Sequence, residues 1–208
     1  MSGAPSARER LGDFLARAAV ASLFALLAAN ILANVIQTGR VIGLLLLASE
    51  SLVVVLTVLR RRARSVDRSP TAFTVTMLSG VSSLLLRASG DRGLLPEPLM
   101  ISISAAGLAI VIVGKLALGR SFGIVPANRG VVVRGPYAYV RHPIYAGYIL
   151  TNVTFILAYP TWRNVILAAI TDIGLVIRVF LEERTLAHDD RYQTYTRRVV
   201  WHLVPGLF

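Results

Sequence analysis

Six apolar stretches, each close to the length needed to cross about 30 Å of hydrocarbon, occupy most of the chain: Phe14–Ile36, Gly39–Leu59, Thr71–Ala88, Pro98–Leu118, Ile144–Tyr159 and Thr161–Leu181. Lipid offers no partner for backbone N–H and C=O groups, so runs of this length must fold as helices. The composition agrees: 55% hydrophobic and only 16% charged residues in 208 positions are too little charge to cover a water-soluble domain. The expectation is an all-α integral membrane protein with about six transmembrane helices. The first stretch is read as a retained span rather than a cleaved signal peptide. The third is the most dilute, carrying Thr71, Thr74, Thr76, Ser79, Ser82 and Ser83. The last two are joined by Tyr159-Pro160-Thr161 alone, a link so short that they must form an antiparallel helical hairpin.

Charge sets the orientation. The net charge is +11, but Arg60, Arg61, Arg62, Arg64 and Arg68 sit directly beside an apolar stretch, where the positive-inside rule collects arginines and anionic lipid head groups meet them. With that loop in the cytoplasm, Gly119–Pro143 and the arginine-rich segment from Glu182 to Phe208 fall on the same side. Both termini are then cytoplasmic, as expected for a protein of the plasma (inner) membrane. No nucleic-acid motif accompanies the charge, so no nucleic-acid partner is expected. There is no cysteine, which excludes disulfides, thiolate metal sites and cysteine nucleophiles; no metal site is expected.

Glu50, Lys115 and Asp172 lie inside apolar stretches, where an unpaired charge is costly, so each must face another helix, water or the interface. Lys115 is near enough to the end of its stretch to snorkel. Asn30 and Asn34, four apart on one helical face, suit contacts between helices.

The densest chemistry is C-terminal. Gly135-Pro136-Tyr137 bends the chain, and Pro143 suits the first position of a helix, where its missing N–H costs nothing. Arg141 and His142 then stand at a helix N-terminus, whose free N–H groups and partial positive charge, with Arg141, can hold a carboxylate. Arg178 and Glu182 are four apart on one face of the last apolar helix, with Glu183 just beyond. The hairpin returns that end to the same surface as Arg141 and His142. Tyr192 and Tyr195, followed by Arg197, Arg198 and Leu203-Val204-Pro205, form an amphipathic tail suited to lying over the hairpin's mouth. An interfacial salt-bridge cluster is the alternative account of these charges.

In these elements the chain resembles the isoprenylcysteine carboxyl methyltransferase family and its relatives, the phospholipid N-methyltransferases. The matching residues are Val131-Val132 with Gly135-Pro136-Tyr137; Arg141-His142-Pro143-Ile144-Tyr145 with Gly147; Arg178 with Glu182-Glu183 and Leu186; and Tyr192, Tyr195 and Pro205. The resemblance covers about ninety residues of the C-terminal portion. It implies N-terminal transmembrane helices over residues 1–97 and a methyltransferase core over 98–208, with the break at Pro96-Glu97-Pro98. It also implies S-adenosylmethionine as cofactor, held by Arg129, Val131, Val132, Tyr137, Arg141, His142, Pro143, Ile144 and Glu182. Arg178 is implied to contact the substrate and, with Glu182, to serve catalysis; Tyr145 and Glu183 are placed with the substrate. Two departures stand out: Arg129 replaces a frequent histidine, and His188-Asp189 replaces a usual Phe-Gly before the first tail tyrosine.

Methyl transfer from a sulfonium is an in-line displacement in which positioning and exclusion of water do most of the work. A carboxylate acceptor is already ionised near neutral pH; an amine or thiol needs a base, for which Glu182 or Glu183 is available. The expected substrate is lipophilic and enters from the bilayer. The competing readings are a phospholipid N- or thiol S-methyltransferase, an NADPH-dependent sterol-reductase-like enzyme, and a non-enzymatic transporter or scaffold.

Overall fold

The computed structural model describes residues 42–87 and 93–208, with isolated helical positions between 14 and 36. Part of the first expected span, including Asn30 and Asn34, lies outside the described residues. The helices are α1 (Ile42–Leu59), α2 (Pro70–Leu84), α3 (Glu97–Leu118), α4 (Pro143–Ala158), α5 (Trp162–Leu186) and α6 (Asp190–Arg198), with short 3-10 turns at Gly119–Ser121 and Gly135–Ala138. Their ends follow local chemistry. Ser69 caps α2 by accepting from the Ala72 N–H at 3.1 Å, ahead of Pro70. Pro143 opens α4, Thr161 caps α5, and Asp189 caps α6 by accepting from the Arg191 N–H at 3.0 Å.

The mostly helical expectation holds, with one addition that hydrophobicity could not signal. Strands β1 (Ser65–Val66) and β2 (Ala127–Asn128) pair antiparallel. Around them the Arg61 N–H bonds to the Arg120 carbonyl at 2.7 Å, and the Arg64 N–H to the Asn128 carbonyl at 2.7 Å. The arginine-rich loop after α1 thus lies against the loop that leads into α4, and both basic segments gather at one end of the bundle.

Among the described residues two helices have the length and apolarity to cross a membrane unaided, Glu97–Ser121 and Trp162–Leu186; Leu47–Leu59 and Pro143–Ala158 are apolar but shorter. The third expected span ends early. At 15 residues, α2 reaches only about 22 Å at 1.5 Å per residue. Its polar residues have a structural use: Thr76, Ser79 and Ser82 are buried, Gly174 of α5 seats Ser79, and the Thr171 hydroxyl donates to the Ser79 carbonyl at 3.4 Å.

Small residues let the other helices close on one another, as they do where lipid removes the usual hydrophobic drive. A Cβ placed on Gly147 of α4 would stand 2.6 Å from the Gly107 carbonyl oxygen of α3, so these two backbones are in direct contact. Gly114 takes Ile144 in the same way. The resulting core joins Val53 and Leu56 of α1, Leu108 and Val111 of α3, Ile144 and Tyr145 of α4, and Leu175 and Val179 of α5. Residues on both sides of the 97/98 boundary therefore share one core. Outward, Val113 and Leu116 of α3 and Ile173 and Phe180 of α5 are exposed, an apolar perimeter that suits lipid and not water.

The buried charges are paired. Lys115 is fully buried and does not snorkel: its Nζ donates to the Ser49 carbonyl at 2.9 Å and hydroxyl at 2.8 Å, with Glu50 at 3.9 Å. Asn152 of α4 donates to Asp172 of α5 at 2.6 Å.

Candidate functional site

The hairpin brings the start of α4 against the last turns of α5. Helix α5 runs to Leu186, so Glu182 and Glu183 lie on its surface rather than at its end, and consecutive positions send them to different partners. Glu183 Oε2 accepts from Arg141 at 2.9 Å, and its Oε1 stands 3.1 Å from His142 Nε2. Glu182 Oε2 lies 3.6 Å from His142 Nδ1, while its Oε1 accepts from the Tyr145 hydroxyl and lies 3.9 Å from Arg178. Arg178 in turn donates to the Ile124 carbonyl and stacks its guanidinium 5.2 Å above the Tyr145 ring.

His142 faces a carboxylate from each ring nitrogen, and only the imidazolium offers a proton to both. Burial alone would lower its pKa, but the hydrogen bonds to Glu182 and Glu183 and their charges outweigh that and raise it above the ordinary histidine value. The phenol of Tyr137 is pushed well up by burial and by the nearby Glu182 charge, so it remains a neutral donor beside the acid pair.

The tail completes the enclosure. Tyr192, Tyr195 and Val199 pack together against Val131 and Leu186, and the Tyr195 hydroxyl donates to the Tyr137 carbonyl at 2.7 Å. The N–H groups of Arg141 and His142 bond to the Trp201 and His202 carbonyls, each at 2.9 Å. The tail thereby holds the backbone of the two residues that lead into α4. The Arg141 side chain is held as well, donating to the Val199 carbonyl at 2.7 Å and the Thr196 carbonyl at 3.2 Å. A cleft of about 380 Å³ opens beside it, lined by Arg141, Glu183, Arg184, Ala187, Tyr192, Gln193 and Thr196.

Of the residues singled out from sequence, Tyr137, Arg141, His142, Tyr145, Arg178, Glu182 and Glu183 converge. Pro143 and Ile144 are buried beneath them as the first turn of α4, Val131 joins the tail's aromatic cluster, and Val132 is half-buried next to it. Two residues sit apart from the Tyr145–Arg178 contact. Glu183, expected beside the substrate with Arg178 and Tyr145, lies on the tail side with Arg141, because the residue after Glu182 is turned about 100° around the helix. Arg129 turns back into its own loop, against Gly123 and 3.4 Å from the Val125 carbonyl. The departure at Asp189 is absorbed: besides capping α6 it accepts from Asn128 at 2.8 Å, tying the tail to β2.

His202 was passed over in the sequence. Its ring is parallel to that of His142 with centroids 6.5 Å apart, and its Nε2 lies 3.4 Å from Arg141. Arginine can only donate, so toward Arg141 this nitrogen is the acceptor; burial lowers the His202 pKa, and the Arg141 and His142 charges add to that against the opposing charge of Glu183. No spacing rule connects positions sixty residues apart in a tail of mixed polarity.

A helical bundle with an apolar perimeter and a polar, ion-paired mouth at one end suits an integral membrane protein. Residues 100–188 match the family model of the Isoprenylcysteine carboxyl methyltransferase (ICMT) family. A methanethiol S-methyltransferase from Crocosphaera subtropica is 35% identical over 65 residues, 30% of this chain. The match spans 25% of that curated relative's length. The tail from Asp189 onward, which closes the site here, lies beyond the family match.

Proposed function

We propose that this protein is a membrane methyltransferase that uses S-adenosylmethionine at the cytoplasmic face of the plasma (inner) membrane and methylates a lipophilic acceptor entering from the bilayer. The observation that carries this reading is the convergence of His142 and Arg141 on Glu182 and Glu183, at 2.9 to 3.6 Å, across the mouth of the hairpin. The cofactor has a carboxylate, an ammonium and a sulfonium, and this site pairs cationic side chains with two carboxylates in the same small space. The donor set therefore fits it. Arg141, His142 and Tyr137 would hold the anionic and hydroxyl-bearing parts, Glu182 and Glu183 the cationic ones, and Val131 its flat apolar surface.

When bound, the cofactor supplies an electrophilic methyl, whose carbon–sulfur bond breaks, with the electron pair kept by sulfur, as the acceptor bond forms. The protein's part is to align and to dry the site. Tyr145, buried, and Arg178, half-buried, fix one Glu182 oxygen and form the wall that an acceptor reaches from the apolar side. Arg178 orients an anionic acceptor atom, and the tail keeps water from the mouth. If the acceptor must lose a proton, Glu182 is the carboxylate within reach to take it, becoming a neutral acid.

Within the isoprenylcysteine-carboxylate, phospholipid-amine and thiol acceptors open to such a site, the thiol is favoured by the methanethiol S-methyltransferase relative. The experiment is to incubate membranes containing the protein with cofactor carrying a labelled methyl, extract lipids and small molecules, and identify the labelled species. Label in a thioether supports the thiol reading; label in a methyl ester or a methylated amine replaces it. Loss of label with Glu182→Ala is expected, and undiminished transfer by that folded variant would remove Glu182 from the site.

A further inference from the structure

The tail beyond α6 has an outward edge that neither the bundle core nor the candidate site uses. Helix α6 itself buries Tyr192 and Tyr195 and turns Arg191, Gln193, Thr194, Arg197 and Arg198 outward, as suits water. After Val199 the exposed side chains change character: Val200, Trp201, Val204 and Leu207 are apolar, from 37% exposed at Trp201 to 79% at Leu207. Tyr139, 72% exposed, stands outward in the loop before α4. Exposed apolar residues scattered singly need no explanation. Here, however, Tyr139, Val200 and Trp201 share one cleft of about 280 Å³ with Pro205 and Arg198.

Two observations say what covers this edge. The first is its position, because the tail returns along the flank of α5. The Phe208 ring stands 6.2 Å from that of Phe180, an exposed residue of the apolar perimeter, about 9 Å before the end of α5. His202 lies between them, 4.8 Å from Phe208 and 6.4 Å from Phe180. The perimeter that suits lipid thus continues from the helix onto the tail. The second is charge. Arg198 lines the cleft and no acidic side chain does; Arg197 and Arg198 are exposed and form no ion pair among the described residues. A tryptophan and a tyrosine at the rim of an apolar surface match the head-group layer of a bilayer, and the adjacent arginines match anionic head groups.

We propose that Tyr139, Val200, Trp201, Val204 and Leu207, with Arg198, form a docking surface for the head-group layer of an anionic phospholipid bilayer. The consequence reaches the candidate site through the backbone. The Trp201 and His202 carbonyls hold the N–H groups of Arg141 and His142, and the Val199 carbonyl accepts from the Arg141 side chain. Docking therefore steadies the very segment that clamps this pair, and lipid is part of what keeps the tail over the mouth. The inference rests on a bilayer around the helices and not on the transfer chemistry, so its test needs no turnover.

The chain has two tryptophans, and Trp162→Phe, at the opposite end of α5, leaves Trp201 as the single reporter. This full-length variant is reconstituted in bilayers of phosphatidylcholine, alone or mixed with an equal amount of phosphatidylglycerol. Its fluorescence is then quenched either by lipid brominated near the head group or by acrylamide from water. In the anionic bilayer Trp201 is expected to be quenched by the brominated lipid and shielded from acrylamide. The ratio of docked to undocked tail should be about fivefold higher than in phosphatidylcholine, the effect of one arginine near an anionic surface. High salt, or Arg198→Gln on the same background, should remove that difference. Full access to acrylamide with no quenching by brominated lipid shows a water-facing edge and overturns the proposal. Shielding from both quenchers assigns the edge to a second copy of the chain and overturns it too. Equal quenching in the two lipid mixtures, or no effect of Arg198→Gln, overturns the preference for anionic lipid.

Discussion

Gly147→Ala probes the contact on which the whole site is mounted. The added Cβ would stand 2.6 Å from the Gly107 carbonyl oxygen, 2.7 Å from a Val111 methyl and 3.1 Å from the Val111 nitrogen. Two of these neighbours are backbone, so no side chain can yield, and α4 must part from α3 by about 0.8 Å to restore ordinary contact near 3.4 Å. Overpacking of this kind costs about 1–3 kcal/mol, and each kcal/mol lowers the melting midpoint of a chain this size by roughly 2–4 °C. Function should suffer more than stability, because His142 and Tyr145 ride on the first turns of the displaced helix and a misplacement near 1 Å can cost about a hundredfold in rate. Gly80→Ala is the control. Nothing lies within 4 Å of its Cβ position, and an exposed helical glycine replaced by alanine should gain about 0.5–1 kcal/mol. Thermal unfolding in detergent and methyl-transfer rates measure both. Equal midpoints and rates for the two alanine variants would refute the claim that a close α3–α4 seam positions the site.

Arg178→Lys keeps the charge but loses the planar fork that reaches Ile124, Glu182 and the Tyr145 face; KM for the acceptor should rise about tenfold with cofactor affinity nearly unchanged, and unchanged acceptor kinetics would count against its role. Because the folded-state pKa of His142 is raised, its contribution to stability is fully present below the unfolded value of about 6.5 and is lost as pH rises through the folded value. The melting midpoint should therefore fall on going alkaline through that window, and His142→Gln should flatten the slope; a midpoint that rises instead contradicts the imidazolium assignment. Tyr195→Phe removes the 2.7 Å bond to the Tyr137 carbonyl and should cost about 0.5–1.5 kcal/mol, seen as faster proteolysis of the tail; a tail equally protected from protease would argue against that tether.

Where chemistry and periodicity are local, the sequence was readable. Pro143 and the three-residue link at Tyr159–Thr161 sufficed to predict a hairpin with Arg141, His142 and Glu182 at one end. What escaped depends on distance along the chain or on atomic fit. The Thr and Ser content of α2 looked like a diluted span, yet it is a seam against α5 that only Gly174 explains. Lys115 near the end of an apolar stretch looked like a snorkelling side chain until Ser49, from another helix, satisfied it. Likewise His202 and the two-residue strands carry no periodic signal, because each is set by a partner far away in sequence.

The central claim is that the acid pair of α5 and the His–Arg pair before α4 together receive a sulfonium cofactor. Equilibrium binding of S-adenosylmethionine to the detergent-purified protein, compared between wild type and Glu182→Gln, tests it most directly. Saturable binding by the wild type, weakened about tenfold or more when that carboxylate charge is removed, is the predicted result; no binding by folded wild type, or equal affinity in the two proteins, would contradict it.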